Sequence, residues 1–234
     1  HIGDGNEYIP TNFKNHGKFR KIGPYGGIYQ GTFEHCVDSA SHIHIHSGWL
    51  QLYNPVPCSP MDSPTSFGGT IRIDSGAGLI APAFSFSGDT LDNRGGIDCN
   101  PFTFVRSSPP QVLTGGGTIT NIAINGGNVQ LLGPQTANYN LTLTSGTIQL
   151  NDNDFNLGNG NLTGANSSSY FVTNGTGRFI RNVGTSFVGF PVGTSISYNP
   201  VTIKTETGVE SFAVNVAEGI IPSMTDASSA VQRT

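Results

Sequence analysis

The chain has 234 residues, a formal net charge of −4 and only 11% charged residues, against about 25% in an ordinary globular domain. Glycine occurs 32 times, and short β-branched runs between Gly, Asn and Pro predict an all-β fold. The composition argues against a nucleic-acid-binding protein, because no basic stripe is present, and against a membrane span, because no apolar run is long enough.

Residues 1–30 contain no copy of the repeat described below, and we interpret them as an N-terminal cap or a linker. The basic run KNHGKFRK at 14–21 can contact an anion, but a solvated turn is the simpler interpretation. The opening residues HIGDGNEY lack the charged and apolar regions of a signal peptide. If the protein is exported, we therefore expect residue 1 to be a processed end.

Residues 42–52 read HIHIHSGWLQL, and neighbouring residues of a strand point to opposite faces. The alternation places three histidines on one face and two isoleucines on the other: His42, His44 and His46 against Ile43 and Ile45. Two histidines at positions i and i+2 can chelate a metal ion. All three cannot reach one ion, because His42 and His46 of a straight strand lie about 13–14 Å apart at Cα. A site with two of them needs outside ligands, for which the sequence offers Glu34 and His35 nearby.

Four ten-residue units share the pattern Φ-x-Φ-x-[SG]-G-x-x-x-Φ, where Φ is a large aliphatic residue. They occupy 43–52, 71–80, 122–131 and 141–150. Each unit predicts a strand, a glycine bend and a second strand, and the first strand buries two side chains. The predicted core is Ile43, Ile45, Ile71, Ile73, Ile122, Ile124, Leu141 and Leu143. One unit cannot cover its own apolar face, so we expect the units to stack in one column.

Stacking of these units predicts a right-handed parallel β-helix, or β-solenoid, with inserted loops over residues 31–185. The last two units are 19 residues apart, near the length of one turn. In the column of His44 the other units carry Arg72, Ala123 and Thr142, which indicates a solvated position. His46 aligns in the same way with Asp74, Asn125 and Thr144. The sequence thus leaves a metal site and an ordinary solvated strand face as alternatives.

Trp49 aligns with Ala77, Asn128 and Thr147, in a column that we expect to face solvent. An exposed indole can stack on a sugar ring. We therefore predict a glycan-binding platform at Trp49 and Tyr53, to which Tyr29 can contribute.

Three cysteines are present, without the C-x-x-C spacing of a zinc site. Cys58 and Cys99 each lie beside a Pro-containing loop, PVPCSP and IDCNPF. They can form a disulfide in an oxidising compartment, which would leave Cys36 unpaired, or they can remain thiols.

Residues 151–164, NDNDFNLGNGNLTG, are rich in Asn, Asp and Gly. Asn at the bends of a solenoid stacks turn on turn and caps backbone groups. Asp152 and Asp154 are alternatively candidates for a Ca²⁺ site, although the EF-hand pattern fails because no Glu stands twelve positions along. No other cofactor is predicted.

After residue 170 the strands become longer and alternate more regularly. Residues 200–205 and 210–217 flank a short polar turn and predict a hairpin. We interpret 186–234 as the start of a β-sandwich-like module with short antiparallel strands, cut short at DASSAVQRT.

The run YFVTNGTG at 170–177, followed by FPVG at 190–193, YNPV at 198–201 and DASSAVQRT at the end, resembles secreted surface proteins of Bacteroidota. Those proteins carry β-helical, adhesin-like repeats followed by a β-sandwich module, and many are exported by the type IX system. The resemblance covers residues 115–234 specifically and 1–114 by composition only. It implies an extracellular location at the bacterial surface and a longer parent protein.

Two classes of function remain. The first is a non-catalytic structural or adhesive segment, a stiff rod for surface display, adhesion or filament assembly. Its expected partners are other copies, through the solenoid ends, or host and surface glycans. The motifs GxSxG, HExxH and the P-loop are absent, which favours this class. The alternative is a carbohydrate-active β-helix, a polysaccharide lyase or hydrolase, or a glycan-binding module without chemistry. Candidate groups for the enzyme are Arg72, Asp74, Asp89, Asp92, Arg94 and Asp98.

Overall fold

The computed structural model describes residues 7–9, 13–15, 18–23, 27–35, 42–57 and 67–218, with side chains for 18–23, 42–52 and 67–218. Within these residues the chain is all-β, without a helix, and forms a parallel β-solenoid of about seven turns with a small antiparallel segment. The predicted fold class is confirmed.

The strands are short, and most have three to five residues. In chain order they are β1 (Glu7–Ile9), β2 (Phe13–Asn15), β3 (Lys18–Lys21), β4 (Gly27–His35), β5 (His42–Ile45), β6 (Trp49–Pro57), β7 (Thr70–Ile73), β8 (Gly78–Ala81), β9 (Phe84–Phe86), β10 (Thr90–Asn93), β11 (Gly96–Cys99), β12 (Phe102–Phe104), β13 (Gln111–Thr114), β14 (Thr118–Asn125), β15 (Val129–Leu131), β16 (Gln135–Ser145), β17 (Ile148–Gln149), β18 (Phe155–Gly158), β19 (Asn161–Thr163), β20 (Phe171–Val172), β21 (Phe179–Val183), β22 (Val188–Phe190), β23 (Val192–Gly193), β24 (Val201–Ile203) and β25 (Glu210–Val214).

The strand pairing divides a turn into three segments, which gives the solenoid three faces. Face 1 is a parallel sheet that runs, within the described residues, from β3 through β5, β7, β10, β13, β15, β17 and β20 to β23. Face 2 runs in parallel from β1 through β4, β6, β8, β11, β14, β16 and β18 to β21. Face 3 contains β2, β9, β12 and β19, and the long strands β4, β6, β14 and β16 cross into it from face 2.

Glycine is required at the corners between faces. Gly146 has a φ of 99°, a region that residues with a side chain rarely adopt. A Cβ at this position would lie 1.8 Å from the carbonyl oxygen of Gly127 in the preceding turn. The glycine bend of the repeat is therefore a corner at which two successive turns pass in close contact.

All eight predicted core residues are buried, each with 2% exposure or less. They nevertheless form two columns, and the prediction of a single column was wrong. Ile43 lies beside Ile71 on face 1, whereas Ile122 lies beside Leu141 on face 3. The strand–glycine–strand pattern marks a corner, and a turn has three corners. The first two units span the corner from face 1 to face 2, and the last two span the corner from face 3 to face 1.

An aromatic stack fills the interior of face 3 across successive turns. The ring centroids of Phe67 and Phe84 are 4.3 Å apart, and those of Phe84 and Phe102 are 5.3 Å apart, both in stacked geometry. All three rings are buried. Because aromatic pairs contribute about 0.5–1.5 kcal/mol beyond their buried area, this stack stabilises the junction between turns.

The predicted hairpin at 200–205 and 210–217 was wrong. Strand β24 pairs antiparallel with β22, and β25 pairs antiparallel with β21. The last parallel strand offers β25 an ordered edge whose Phe179 and Val183 are buried, so that Phe212 and Val214 pack on the core. An isolated hairpin would leave these side chains in water, and isolated hairpins are marginally stable.

Parallel pairing also reaches beyond the predicted solenoid limits. Strands β1 and β3 join the following turn within the segment interpreted as a cap or linker, and β23 joins face 1 after residue 186. The proposal of a further module beyond residue 186 stays a prediction.

Candidate functional site

The outer surface of face 1 carries a ladder of charged and titratable side chains on three neighbouring strands. His44 lies beside Arg72, and Arg72 lies beside Asp92. Strands β5, β7 and β10 each end one residue after these positions, and there the chain leaves face 1 at the corner. We name this set the charge ladder: His44 and His46, Arg72 and Asp74, Asp92 and Arg94.

The carboxylate of Asp74 is the centre of the charge ladder. Its Oδ2 accepts hydrogen bonds from His44 Nε2 at 2.9 Å and from His46 Nδ1 at 2.6 Å. Its Oδ1 accepts a hydrogen bond from Arg72 Nε at 2.7 Å. The two histidines therefore use different ring nitrogens toward one oxygen, and the carboxylate is held on both sides.

These contacts set the ionisation of Asp74. Burial raises the pKa of this carboxyl, but hydrogen bonds from Arg72, His44 and His46 outweigh that effect and hold the pKa well below its usual range. Asp74 is thus a carboxylate at physiological pH and is unsuited to act as a general acid, which needs a raised pKa.

The rest of the charge ladder consists of pairs of opposite sign. Arg94 Nε donates to Asp92 Oδ1 at 3.0 Å, and Arg72 Nε lies 3.9 Å from Asp92 Oδ2. Positive and negative side chains therefore alternate along and across the strands, which stabilises their stacking.

Two of the three predicted histidines come together, and the structure adds a ligand that the sequence interpretation did not name. The ligand atoms of His44, His46 and Asp74 all lie within 4.8 Å of one another. His42 lies two positions earlier, beside Lys18 and Thr70, and is not part of this group. The suggested outside ligands Glu34 and His35 belong to β4, where side chains are not described.

The signal for Asp74 was present in the repeat, because units 43–52 and 71–80 place it in the column of His46. The last two units carry Asn125 and Thr144 in the aligned position, but they lie at a different corner of the solenoid.

Trp49 lies at the start of β6 and is 43% exposed. Its register partners on face 2 are Gly78 and then Gly96. A Cβ at Gly78 would lie 2.2 Å from Trp49 Cε3, and one at Gly96 would lie 3.4 Å from Cη2. The indole thus rests on two glycines of successive turns and leaves part of its surface to solvent. Tyr53 is in the same strand, but its side chain lies outside the described residues.

Asp152 and Asp154 connect successive turns. Asp152 Oδ1 accepts hydrogen bonds from Thr176 N at 2.9 Å and Oγ1 at 3.1 Å. Asp154 accepts from Arg178 N at 2.9 Å and Nη2 at 2.7 Å. The hydrogen bond from the Arg178 side chain lowers the pKa of Asp154. These contacts agree with the structural interpretation of this tract, and the Ca²⁺ site stays a prediction.

The carboxylates considered for catalysis do not form an acid–base pair in the described part of the chain. Asp89 pairs with Arg106 and Asp92 with Arg94. Asp98 is exposed beside Ile80 of the neighbouring strand. Each of the first two therefore forms an ion pair with an arginine.

Cys99 is buried in the core of face 2, at 1% exposure. Burial raises the pKa of its thiol to about 12. Its predicted disulfide partner Cys58 lies outside the described residues, as does Cys36, so the disulfide stays a prediction.

Two further observations bear on identity. Among the described residues no helix has the length and apolar character needed to cross a membrane. The resemblance to Bacteroidota surface proteins stays a prediction. The chain matches no family model, and no curated protein and no solved structure is significantly similar to it.

Proposed function

We propose that the chain is a non-catalytic structural and adhesive segment of an extracellular cell-surface protein. The observation that carries this proposal is the stacking of turns in the described part of the chain, where face 1 continues in parallel register from β3 to β23. A stack of this kind keeps a fixed spacing between surface groups and presents them along one direction.

Side-chain ladders between successive turns support the stiffness that this role needs. Asn140 Nδ2 donates to Asn121 Oδ1 at 2.6 Å, and Asn121 Nδ2 donates to the carbonyl of Cys99 at 3.0 Å. Asn174 bonds to Asn151 in the same way at 2.7 Å. Each bond joins a turn to its neighbour and opposes sliding between turns.

Adhesion through a side surface has more support than filament growth through the end. At the C-terminal edge of face 2, strand β25 runs antiparallel to β21. A second copy cannot continue the parallel pairing of face 2 from this strand without a change of direction. The proposal therefore keeps self-association through the solenoid ends only for edges other than the C-terminal edge of face 2.

Glycan binding is the second candidate function, and Trp49 favours it. An indole held on Gly78 and Gly96 loses little conformational freedom when a sugar ring stacks on it, because its orientation is already fixed. The carbohydrate-active enzyme has less support, because Asp74, Asp89 and Asp92 are each paired with an arginine. Location at the bacterial surface and type IX export belong to the proposal, supported by the resemblance over 115–234.

The test uses beads coated with the full chain and a panel of neutral and acidic polysaccharides under flow. We expect retention on at least one polysaccharide, loss of retention in Trp49→Ala, and no release of reducing or unsaturated sugars. Tyr139→Ala is the matched control, because Tyr139 is an aromatic residue with 66% exposure on another part of the surface.

Three outcomes would contradict this view. Sugar release that scales with protein would favour the enzyme, and absence of retention on every polysaccharide would count against adhesion to glycans. Equal retention by Trp49→Ala and the unchanged chain would remove Trp49 as the platform.

A further inference from the structure

We propose that His44, His46 and Asp74 form a binding site for Zn²⁺ on the outer surface of face 1. The site does not depend on the adhesive role proposed above. Two imidazoles and one carboxylate are ligands that zinc binds in proteins, and three protein ligands leave a fourth position for water or another ligand.

The backbone that carries these ligands is rigid. Ile45 and Ile73 are register partners with 0% exposure, and each stands directly before one of the ligands. The amide of Asp74 donates to the carbonyl of Ile45 at 2.9 Å. His44 lies in β5, and His46 and Asp74 directly follow β5 and β7, so only side-chain rotation is needed to adjust the ligands.

Two of the three separations between ligand atoms are close to those of a tetrahedral zinc site, and the ligand atoms of His44 and His46 lie within 4.8 Å of each other. With ligands at about 2.0–2.1 Å from the metal, neighbouring ligand atoms lie about 3.3 Å apart. Asp74 Oδ2 is 2.9 Å from His44 Nε2 and 2.6 Å from His46 Nδ1. These separations must lengthen by about half an ångström, which small χ rotations supply. Zinc then replaces the two hydrogen bonds, and the ring protons occupy His44 Nδ1 and His46 Nε2.

Arg72 has two opposing effects on the site. Its hydrogen bond to Asp74 Oδ1 orients the carboxylate so that Oδ2 points at the histidines, as outer partners of metal ligands commonly do. Its positive charge also repels the cation. We therefore expect a weaker site than one with three ligands and no neighbouring guanidinium.

The fourth position faces solvent, since the side chain of His46 is 52% exposed. A bound zinc ion is thus reachable by a water molecule or by an oxygen ligand from outside the chain. No buried channel is needed for the metal to enter.

His42 provides a matched control. It lies on the same strand and the same face as His44, and its register neighbours are Lys18 and Thr70. It therefore has the same chemistry as His44 and, among the described residues, no carboxylate as a register neighbour. A generic attraction of zinc to surface histidines would involve His42 as much as His46.

The experiment titrates ZnCl₂ into the chelator-treated full chain by calorimetry, with Co²⁺ as a spectroscopic probe. We expect one equivalent of Zn²⁺ to bind, and the visible absorption of tetrahedral Co²⁺. His44→Ala, His46→Ala and Asp74→Asn should each weaken binding by about tenfold or more, whereas His42→Ala should change affinity less than twofold. Far-UV circular dichroism establishes that each variant retains its fold, because the changed side chains lie outside the core.

Several results would overturn the proposal. Unchanged affinity in the triple variant of His44, His46 and Asp74 would place the metal elsewhere in the chain. A loss in His42→Ala equal to that in His46→Ala would indicate unspecific binding along the strand. Absence of heat and of Co²⁺ absorption in the unchanged chain would leave the three side chains as a hydrogen-bonded ladder only.

Discussion

Replacement of Gly78 by alanine is the sharpest test of the aromatic platform. A Cβ at this position would lie 2.2 Å from both Cε3 and Cζ3 of Trp49, well inside van der Waals contact. The backbone of Gly78 is compatible with alanine, because its φ is not in the positive region that favours glycine. The indole must therefore swing away from the strand by more than an ångström.

The magnitude follows from the covered surface. Trp49 is 43% exposed, so a little over half of its surface, roughly 140 Å² of about 250 Å², is covered by the protein. Loss of half of that contact costs about 1–2 kcal/mol. Alanine in a strand regains about 0.5–1 kcal/mol relative to glycine. We expect a net destabilisation of about 0–1.5 kcal/mol, so stability alone is a weak readout.

Fluorescence is the better assay, because Trp49 is the single tryptophan of the chain. Gly78→Ala should shift the emission to longer wavelength, increase quenching by acrylamide, and reduce polysaccharide retention to the level of Trp49→Ala. Gly189→Ala is the control, because nothing lies within 4 Å of a Cβ at Gly189. Unchanged emission and quenching in Gly78→Ala would refute the placement of the indole on Gly78.

Three further predictions concern the core, the turn-to-turn ion pair and the thiol. Phe102 is fully buried with Phe84 stacked at 5.3 Å, so Phe102→Ala should lower the free energy of unfolding by about 3–5 kcal/mol; a loss below about 1 kcal/mol in urea titration would contradict the packing. Because Arg178 lowers the pKa of Asp154 in the folded chain, this pair stabilises the fold above the unfolded pKa of about 3.9, and the contribution is lost as pH falls through the lower folded value. The thermal midpoint should therefore decrease as the pH drops below about 4, and this decrease should be less steep in Asp154→Asn. An equal dependence of the midpoint on pH in both proteins would exclude this carboxyl as a cause. With the other two cysteines changed to serine, Cys99 should alkylate slowly in the folded chain at pH 8 and rapidly in urea, whereas equal rates would show that the thiol is accessible.

The sequence was sufficient to predict the fold because the relevant physics is local. Alternation of aliphatic and polar residues identifies strands, and a glycine bend identifies a corner, so all eight predicted core residues are buried. Which corner of the turn a given glycine bend forms cannot be predicted from the local sequence. Ile71 and Ile122 begin identical patterns but lie on different faces, because the same glycine bend serves at more than one corner.

The candidate site could be predicted only in part, for a related reason. The alternation places His44 and His46 on one face. Asp74 lies 28 residues after His46, and it reaches the two histidines only because the intervening turn brings β7 into register beside β5. Trp49 shows the same dependence. Its partners Gly78 and Gly96 lie 29 and 47 positions later, so turn length is uneven, and no fixed period in the sequence indicates them.

The stacking of turns on face 1 also has a consequence for distances along the solenoid. Register partners on face 1 such as Val129 and Ile148 are separated by 19 residues, whereas neighbouring strands lie only about 4.8 Å apart. Removal of one complete turn, residues 129–147, would therefore draw everything C-terminal to it about 4.8 Å nearer to Asp74 and leave Asp74 itself undisturbed. The distance between two groups on different turns of face 1 therefore changes in steps of about 4.8 Å, the spacing of neighbouring strands, for each turn that is added or removed. A turn such as the one between Val129 and Ile148 takes 19 residues.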